Sequence, residues 1–258
     1  MWGGLNLQVH AITRKGINKD KNEDSVFINN IILDNEYYTM SIDDTCILAA
    51  IADGVGGNNA GDVASNMVIE AIGTLSKCEI INEHAIINLI NEINNKVIRE
   101  SNKNVQLSKM ATTLSGICII NNKAWIFHVG NTRIYTMQGS YLKQLTEDHT
   151  TVNWLIKKGV ITEEEAETYS KRNEITNCMG GGNEKLLKAL YVGEVFKVIE
   201  NSRKIIITSD GVHEYVGIDE LEKIISDTSS GQEICENVVA EAIKNGSQDD
   251  ISIILIMR

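Results

Sequence analysis

Three short apolar runs in this chain have an aspartate at or within a few residues of one end, and that arrangement narrows the possible folds more than any other feature. Ile51-Ala52 precede Asp53, Ile205-Ile206-Ile207 stand just ahead of Asp210, and residues 251–256 follow Asp250. Residues 45–52 are nearly all apolar but few, so they read as a central strand covered on both faces that delivers Asp53-Gly54 at its end. An aspartate at a strand end sits on the rim of a sheet, where side chains from several strands can converge. Asn22-Glu23-Asp24 and Gln248-Asp249-Asp250 have the same placement, at strand ends or in adjoining turns. Any one of these acids can be a helix cap or an Asx turn. Jointly that explanation weakens, because turn-forming acids need no preference for the ends of buried strands.

The rest of the chain fits around such strands. Leu5, Leu7, Val9 and Ala11 alternate with polar or small residues, as in a half-buried strand. A second strand is expected at 25–33, followed by a polar loop or hairpin tip at 34–45. Residues 61–75 and 83–104 repeat apolar positions at helical spacing. The period then shifts to two, which predicts strands at 112–120, 123–129, 133–137 and 141–145, with Asn121-Asn122 and Gln138-Gly139 as turns. A helix-prone polar segment covers 149–171, broken at Gly159, and Thr162-x-x-Glu165 is a capping-box pattern. After Gly180-Gly181-Gly182, strands are expected at 190–195 and 204–208, helices near 219–226 and 232–244, and a last strand at 251–257. No linker or repeat separates two halves, so the expectation is one domain over 1–258, with interleaved antiparallel sheets and helices outside.

Bulk properties exclude several classes. The formal net charge is −11 with no offsetting basic stretch, which disfavours a nucleic-acid partner. No run of eighteen apolar residues occurs, so no membrane partner is expected, and the N-terminal residues lack a signal-peptide pattern. The five cysteines, Cys46, Cys78, Cys118, Cys178 and Cys235, are scattered and odd in number, which reads as free thiols in a reducing cytoplasm. An acidic protein can still bind anionic phosphoesters if metal cations supply the local positive charge.

If the carboxylates converge, charge repulsion demands a partner. Two carboxylates roughly 5 Å apart repel by about 3 kcal/mol at an effective dielectric near 20. Oxygen-only ligation suits Mg²⁺ or Mn²⁺, and the chain lacks the H-x-H, H-E-x-x-H or Cys/His clusters that zinc would use. Two such ions can activate a bridging water and clamp a phosphoryl group. No G-x-x-x-x-G-K-[ST] loop or G-x-S-x-G elbow competes with this reading. The histidines are isolated, and His149 in Thr146-Glu147-Asp148-His149 is the one with a suggestive setting.

These residues resemble, in order along nearly the whole chain, the PPM family of metal-dependent protein phosphatases (protein phosphatase 2C) in its compact bacterial form. The likeness rests on Asn22-Glu23-Asp24-Ser25, Ala52-Asp53-Gly54-Val55-Gly56-Gly57, Ala111-Thr112-Thr113-Leu114 and Gly130-Asn131-Thr132-Arg133. It continues through Leu145-Thr146-Glu147-Asp148-His149, Lys158-Gly159-Val160-Ile161-Thr162, Ser209-Asp210-Gly211-Val212 and Asp249-Asp250-Ile251-Ser252. The resemblance implies an α+β fold, a four-layer α-β-β-α sandwich of two antiparallel sheets flanked by helices, with a flap at about 162–182. It implies two Mn²⁺ or Mg²⁺ ions per active site. Asp53 would bridge both, Gly54 would offer its carbonyl to the second, and Asp210 and Asp249 would complete the first. Glu23, Asp24 and Asp250 would act around these ligands, Glu23 and Asp24 mainly through metal-bound waters. The implied reaction is hydrolysis of phosphoserine or phosphothreonine on proteins by a water bridging the cations, without a phosphoenzyme. The implied setting is a monomeric cytoplasmic enzyme opposing a cognate Ser/Thr kinase.

Two positions depart from the family pattern. Lys19 stands where an arginine usually grips the substrate phosphate, and a lysine cannot make the two-pronged contact of a guanidinium. Asn131 stands where the family carries an aspartate associated with a third, weaker metal, so that site is expected to be weakened. These departures keep open an alternative, a weakly active or inactive pseudophosphatase that binds phosphoproteins or a regulator. A third reading, a phosphohydrolase acting on small molecules, predicts turnover of nucleotides or sugar phosphates in preference to phosphopeptides.

Overall fold

The structure is a computed structural model that describes residues 7–33, 37–42, 46–55, 60–77, 81–120, 123–181, 187 and 190–258. Its strands are β1 (Leu7–Arg14), β2 (Asp24–Ile28), β3 (Ile31–Leu33), β4 (Tyr37–Ile42), β5 (Cys46–Val55), β6 (Ala111–Thr112) and β7 (Leu114–Ile120). They continue with β8 (Lys123–Val129), β9 (Arg133–Gln138), β10 (Tyr141–Gln144), β11 (Met179–Gly180), β12 (Tyr191–Glu194), β13 (Lys204–Thr208) and β14 (Ile251–Met257). The helices are α1 (Gly61–Ile72), α2 (Glu83–Lys103), α3 (Thr151–Lys157), α4 (Glu163–Glu167), α5 (Phe196–Ile199), α6 (Asp210–His213), α7 (Ile218–Asp227) and α8 (Gly231–Lys244). Short 3-10 turns follow α1 and α2.

Backbone pairing sorts the strands into two antiparallel sheets. One has six strands in the order β10-β9-β13-β14-β1-β4; the other has eight, running β11-β6-β5-β7-β8-β12 with the β2–β3 hairpin joined through β2 to β5. Side chains alternate across each strand, and the alternation builds three apolar layers. Along β5, Leu48, Ala50 and Ala52 pack under α1 and α2. Ile47, Ala49 and Ile51 face the other way, into a layer shared with Val9 and Ala11 of β1 and with Ile254 and Ile256 of β14. On the far side of the six-stranded sheet, Ile253 and Leu255 pack with Leu221 of α7 and Val238 of α8. The result is the expected helix–sheet–sheet–helix sandwich, an α+β architecture.

Several local expectations change. The strand foreseen at 25–33 is a hairpin, because Asn29 and Asn30 take positive φ (42° and 78°) and turn the chain back, as a two-residue hairpin loop requires. Asn29 also anchors the turn to β5, accepting from Leu48 N at 2.7 Å and donating to Cys46 O at 3.1 Å. Part of the loop foreseen at 34–45 is strand β4. Tyr38 and Met40 pack on the inter-sheet layer while Thr39 bonds His10 at 3.2 Å on the opposite face, an edge-strand alternation that the flanking acids disguise. The strand foreseen at 112–120 is split at Thr113 into β6 and β7. The 149–171 segment forms two helices, with the Thr162–Glu165 capping box in place. The short helices α5 and α6 were not foreseen. Leu5, Gly56-Gly57, Cys78, the Asn121-Asn122 turn and Gly182 lie outside the described residues. None of the four described cysteines forms a disulfide. Among the described residues no helix is long and apolar enough to cross a membrane.

Candidate metal centre

Alternation carries the acids to one place. Asp53 continues the face of Ile47, Ala49 and Ile51, and Asp24 continues that of Val26 and Ile28, so both point into the space between the sheets at its open end. They are direct cross-strand partners, Asp24 opposite Asp53 in the β2–β5 register. The six-stranded sheet supplies the rest. Asp210 opens α6 immediately after β13, and Asp249 and Asp250 lead into β14, so the cluster lies where both sheets end.

The strand ends are fixed by their backbones. Asp53 N donates to Thr113 Oγ1 at 3.0 Å, and Asp53 O accepts from Thr113 N and Thr112 Oγ1, both at 2.8 Å. Gly54 N donates to Glu23 O at 3.1 Å. A Cβ on Gly54 would lie 2.6 Å from the backbone of Gly61, so only glycine lets the first residue of α1 approach β5 here. Sequence reading assigned Gly54 an accessible carbonyl; the close approach to Gly61 is a second reason for this residue type.

The carboxylates crowd one another. Withdrawal from water, reinforced by the charges of Asp210, Asp24 and Asp249, holds the Asp53 carboxyl well above the ordinary range. Its Oδ2 is shielded from solvent and has no hydrogen-bond partner. Asp24 is buried, and burial, with the charges of Asp250 and Asp210, pushes it up to about 8 even though Ser252 Oγ donates to its Oδ2 at 2.6 Å. Asp210 is raised by burial and by Asp249, while Asn131 Nδ2 donates to its Oδ2 at 3.1 Å and holds it down. Asp53 and Asp210 are themselves within hydrogen-bonding reach.

Asp250 and Lys19 form the other half of the cluster. Asp250 is only 2% exposed at its side chain and accepts from Gly16 N and Glu23 N, each at 2.8 Å. The Lys19 ammonium ion-pairs with Asp250 at 3.0 Å, with Glu23 at 3.3 Å, and with Asp249. Glu23 is raised by burial, against the pull of Lys19. All the acids singled out by sequence thus gather in one region. His149 belongs to the supporting structure instead: its Nδ1 accepts from Gly130 N at 3.0 Å and steadies the turn that carries Asn131.

Ser252, Thr112 and Thr113 touch the cluster and received no role from sequence. Ser252 shares the inward face with Ile254 and Ile256, so its place was implicit in the β14 alternation. A further acid, Glu214, is pushed up to about 7 by burial, with Asp210 and Asp249 adding to the shift. It accepts from Asn173 Nδ2 at 2.5 Å beside a cavity of about 240 Å³ lined also by Asn131, Arg133 and Arg172.

The donor set fits oxygen-preferring divalent cations. An unpartnered buried carboxylate oxygen and several carboxyls pushed upward by mutual repulsion are what such ions relieve. Among the described residues no three carboxylate, imidazole or thiol side chains already converge on one point, so waters and backbone carbonyls would fill much of each sphere.

The family model for protein phosphatase 2C matches residues 30–242. Protein phosphatase PhpP of Streptococcus pneumoniae is 29% identical over 259 residues, with 97% of each chain covered. Serine/threonine phosphatase stp of Listeria monocytogenes is 29% identical over 219 residues, covering 82% of this chain and 84% of that one. The crystal structure of serine/threonine phosphatase Stp1 from Staphylococcus aureus superposes with a TM-score of 0.84 at 28% identity, covering 100% of this chain and 97% of that one. With the model matching well over half its length, the chain belongs to the protein phosphatase 2C family.

Proposed function

We propose that the inter-sheet acidic cluster is a two-cation phosphatase centre that hydrolyses phosphoserine and phosphothreonine on proteins. The observation that carries the reading is Asp53: a carboxylate with a shielded, unpartnered oxygen, opposite Asp24 and within reach of Asp210. When bound, two Mn²⁺ or Mg²⁺ ions would supply the acidity that turns a water into a nucleophile and the charge that steadies the phosphoryl oxygens. Asp53, the Gly54 carbonyl, Asp210 and Asp249 are the groups that would hold the ions. Asp24, Glu23 and Asp250 orient the surrounding waters and backbone. Lys19 contributes positive charge toward the substrate phosphate as a point charge. Asn131 orients Asp210 through its amide and provides no carboxylate for a third ion.

The whole of 1–258 serves as one catalytic domain, with 162–182 as a flap beside the site. The Asn173–Glu214 hydrogen bond supports that placement for the flap. The enzyme acts as a cytoplasmic monomer that reverses a Ser/Thr kinase, since a phosphomonoester hydrolase needs a kinase to supply its substrate.

Phosphate release from a phosphothreonine peptide tests the proposal. Turnover is expected with Mn²⁺ or Mg²⁺, is abolished by chelator, and falls by at least about 10²-fold in Asp210→Asn. Folded, metal-loaded protein without turnover would favour the phosphoprotein-binding alternative. Preference for nucleotides or sugar phosphates would favour the small-molecule reading.

A further inference from the structure

Lys19, expected from sequence to face the substrate phosphate, is bound to acids of the cluster. The loop between β1 and β2 arches over the start of β14, with Gly16 so close that a Cβ would lie 2.2 Å from Gln248 O. Lys19 N donates to Gly16 O at 3.3 Å, a tight turn that sends the side chain back into the cluster. There the ammonium meets Asp249, Asp250 and Glu23 together. A lysine ammonium ordinarily carries its charge at neutral pH, and here three carboxylates hold it in place.

Asp250 does not depend on that cation, because two backbone N–H groups already satisfy its carboxylate oxygens. Asp249 differs. Its side chain is 43% exposed, and its Oδ1 is shared between the Lys19 ammonium and its neighbour's backbone, Asp250 N at 2.8 Å. An incoming ion that takes this oxygen meets a positive charge already in contact with it.

We infer that Lys19 is a built-in counter-cation that competes with the divalent metal for Asp249. The inference rests on the reading of Asp249 as a metal ligand. Metal binding at Asp249 requires the ammonium to move off that carboxylate, and repulsion between the two cations drives it outward. The displaced ammonium is then the positive charge available to an incoming phosphate. Two properties follow together: the metal binds more weakly than the carboxylates alone would allow, and metal occupancy and anion binding favour each other. If metal occupancy frees the ammonium for an anion, reciprocity requires the anion to tighten metal binding by the same factor.

The test is calorimetric titration of Mn²⁺ into wild type, Lys19→Met and Lys19→Gln, with Lys21→Met as a charge control. Lys21 is two residues away and forms an ion pair with Asp62 at 2.7 Å, but its side chain is 70% exposed and does not touch Asp249. The two Lys19 variants are expected to bind Mn²⁺ about tenfold more tightly, a change of about 1.4 kcal/mol, while Lys21→Met changes affinity less than about threefold. Metal-free Lys19→Met is expected to melt roughly 3–6 °C below metal-free wild type, with the gap closing or reversing in saturating Mn²⁺. Inorganic phosphate is expected to tighten Mn²⁺ binding in wild type and to do so much less in the Lys19 variants. Equal or weaker Mn²⁺ binding in both Lys19 variants would overturn the inference while leaving the metal centre intact. An equal gain in Lys21→Met would overturn it too, by assigning the effect to bulk charge. If no form binds Mn²⁺, the metal-centre reading fails and the inference falls with it.

Discussion

Asn131 shows how one amide can stand in for a carboxylate without leaving a hole. It is buried, it donates to Asp210 at 3.1 Å, and its Oδ1 finds no partner among the described residues. Asn131→Asp exchanges a donor for an acceptor beside an acid already raised by its surroundings. The metal-free variant is therefore expected to lose about 2 kcal/mol of stability to like-charge repulsion and a lost hydrogen bond, read by urea unfolding. In the presence of Mn²⁺ it is expected to gain a weak extra site. Titrations of wild type and variant with the same stoichiometry, or an unchanged urea midpoint, would count against this account. Lys19 teaches the complementary lesson at the same scale. Its departure from arginine was readable in the sequence, but its contact with Asp250 spans 231 positions and no local pattern announces it.

At the scale of elements, the approach of α1 to β5 decides how accurately the strand end is held. Gly54→Ala would drive a methyl group into the Gly61 backbone, which cannot swing aside as a flexible side chain can. The expected cost is about 3 kcal/mol, together with weaker Mn²⁺ binding as the strand end shifts. Unfolding midpoints and metal affinity equal to wild type would show that α1 gives way freely. This contact also marks the limit of what the sequence discloses. Helices α1 and α2 were legible because each carries its period over enough residues, and central strand β5 because its apolar run is too short for a buried helix and ends in Asp53-Gly54. The aspartates were legible because buried apolar runs point to them. The β2–β3 hairpin was not, because Asn29-Asn30 is a weaker turn signal than Asn-Gly and interrupts an otherwise continuous apolar stretch. Edge strand β4 was hidden by acids on both sides. Thr113 and Ser252, although within motifs quoted for the resemblance, received no role because small hydroxyl residues look alike whether they fill a turn or clamp a strand end.

For the molecule as a whole, buried histidines set the acid limit of stability. His128 is 1% exposed, with Nδ1 at 2.7 Å from Ser115 Oγ and Nε2 at 2.8 Å from Glu147 O. Burial pushes it down to about 4, and the nearby His149 adds to the shift. The unfolded chain takes up this proton near pH 6.5, whereas the folded protein refuses it until about pH 4. Stability from His128 is thus complete above pH 6.5 and is lost as pH falls from there toward 4, by a total of about 3 kcal/mol. Urea midpoints measured in excess Mn²⁺ across that window should fall more steeply for wild type than for His128→Gln. Parallel profiles would place the acid sensitivity elsewhere.

The seating of β1 between β14 and the edge strand β4 has a further consequence, during synthesis. It lies between β4, which leaves the ribosome soon after it, and β14, which comes far later; Thr13 and Ser252 bond at 2.8 Å across 239 positions of chain. At about 5–20 residues per second, translation separates the two strands by on the order of ten to fifty seconds. Through that interval one edge of an apolar strand stands open to any other nascent chain or chaperone that can pair with it. Strand β14 is therefore the one that completes this pairing, and it brings Asp249 and Asp250 with it. A nascent chain not yet extended through β14 would lack both that pairing and part of the acidic cluster, so phosphatase chemistry would wait for β14 to dock.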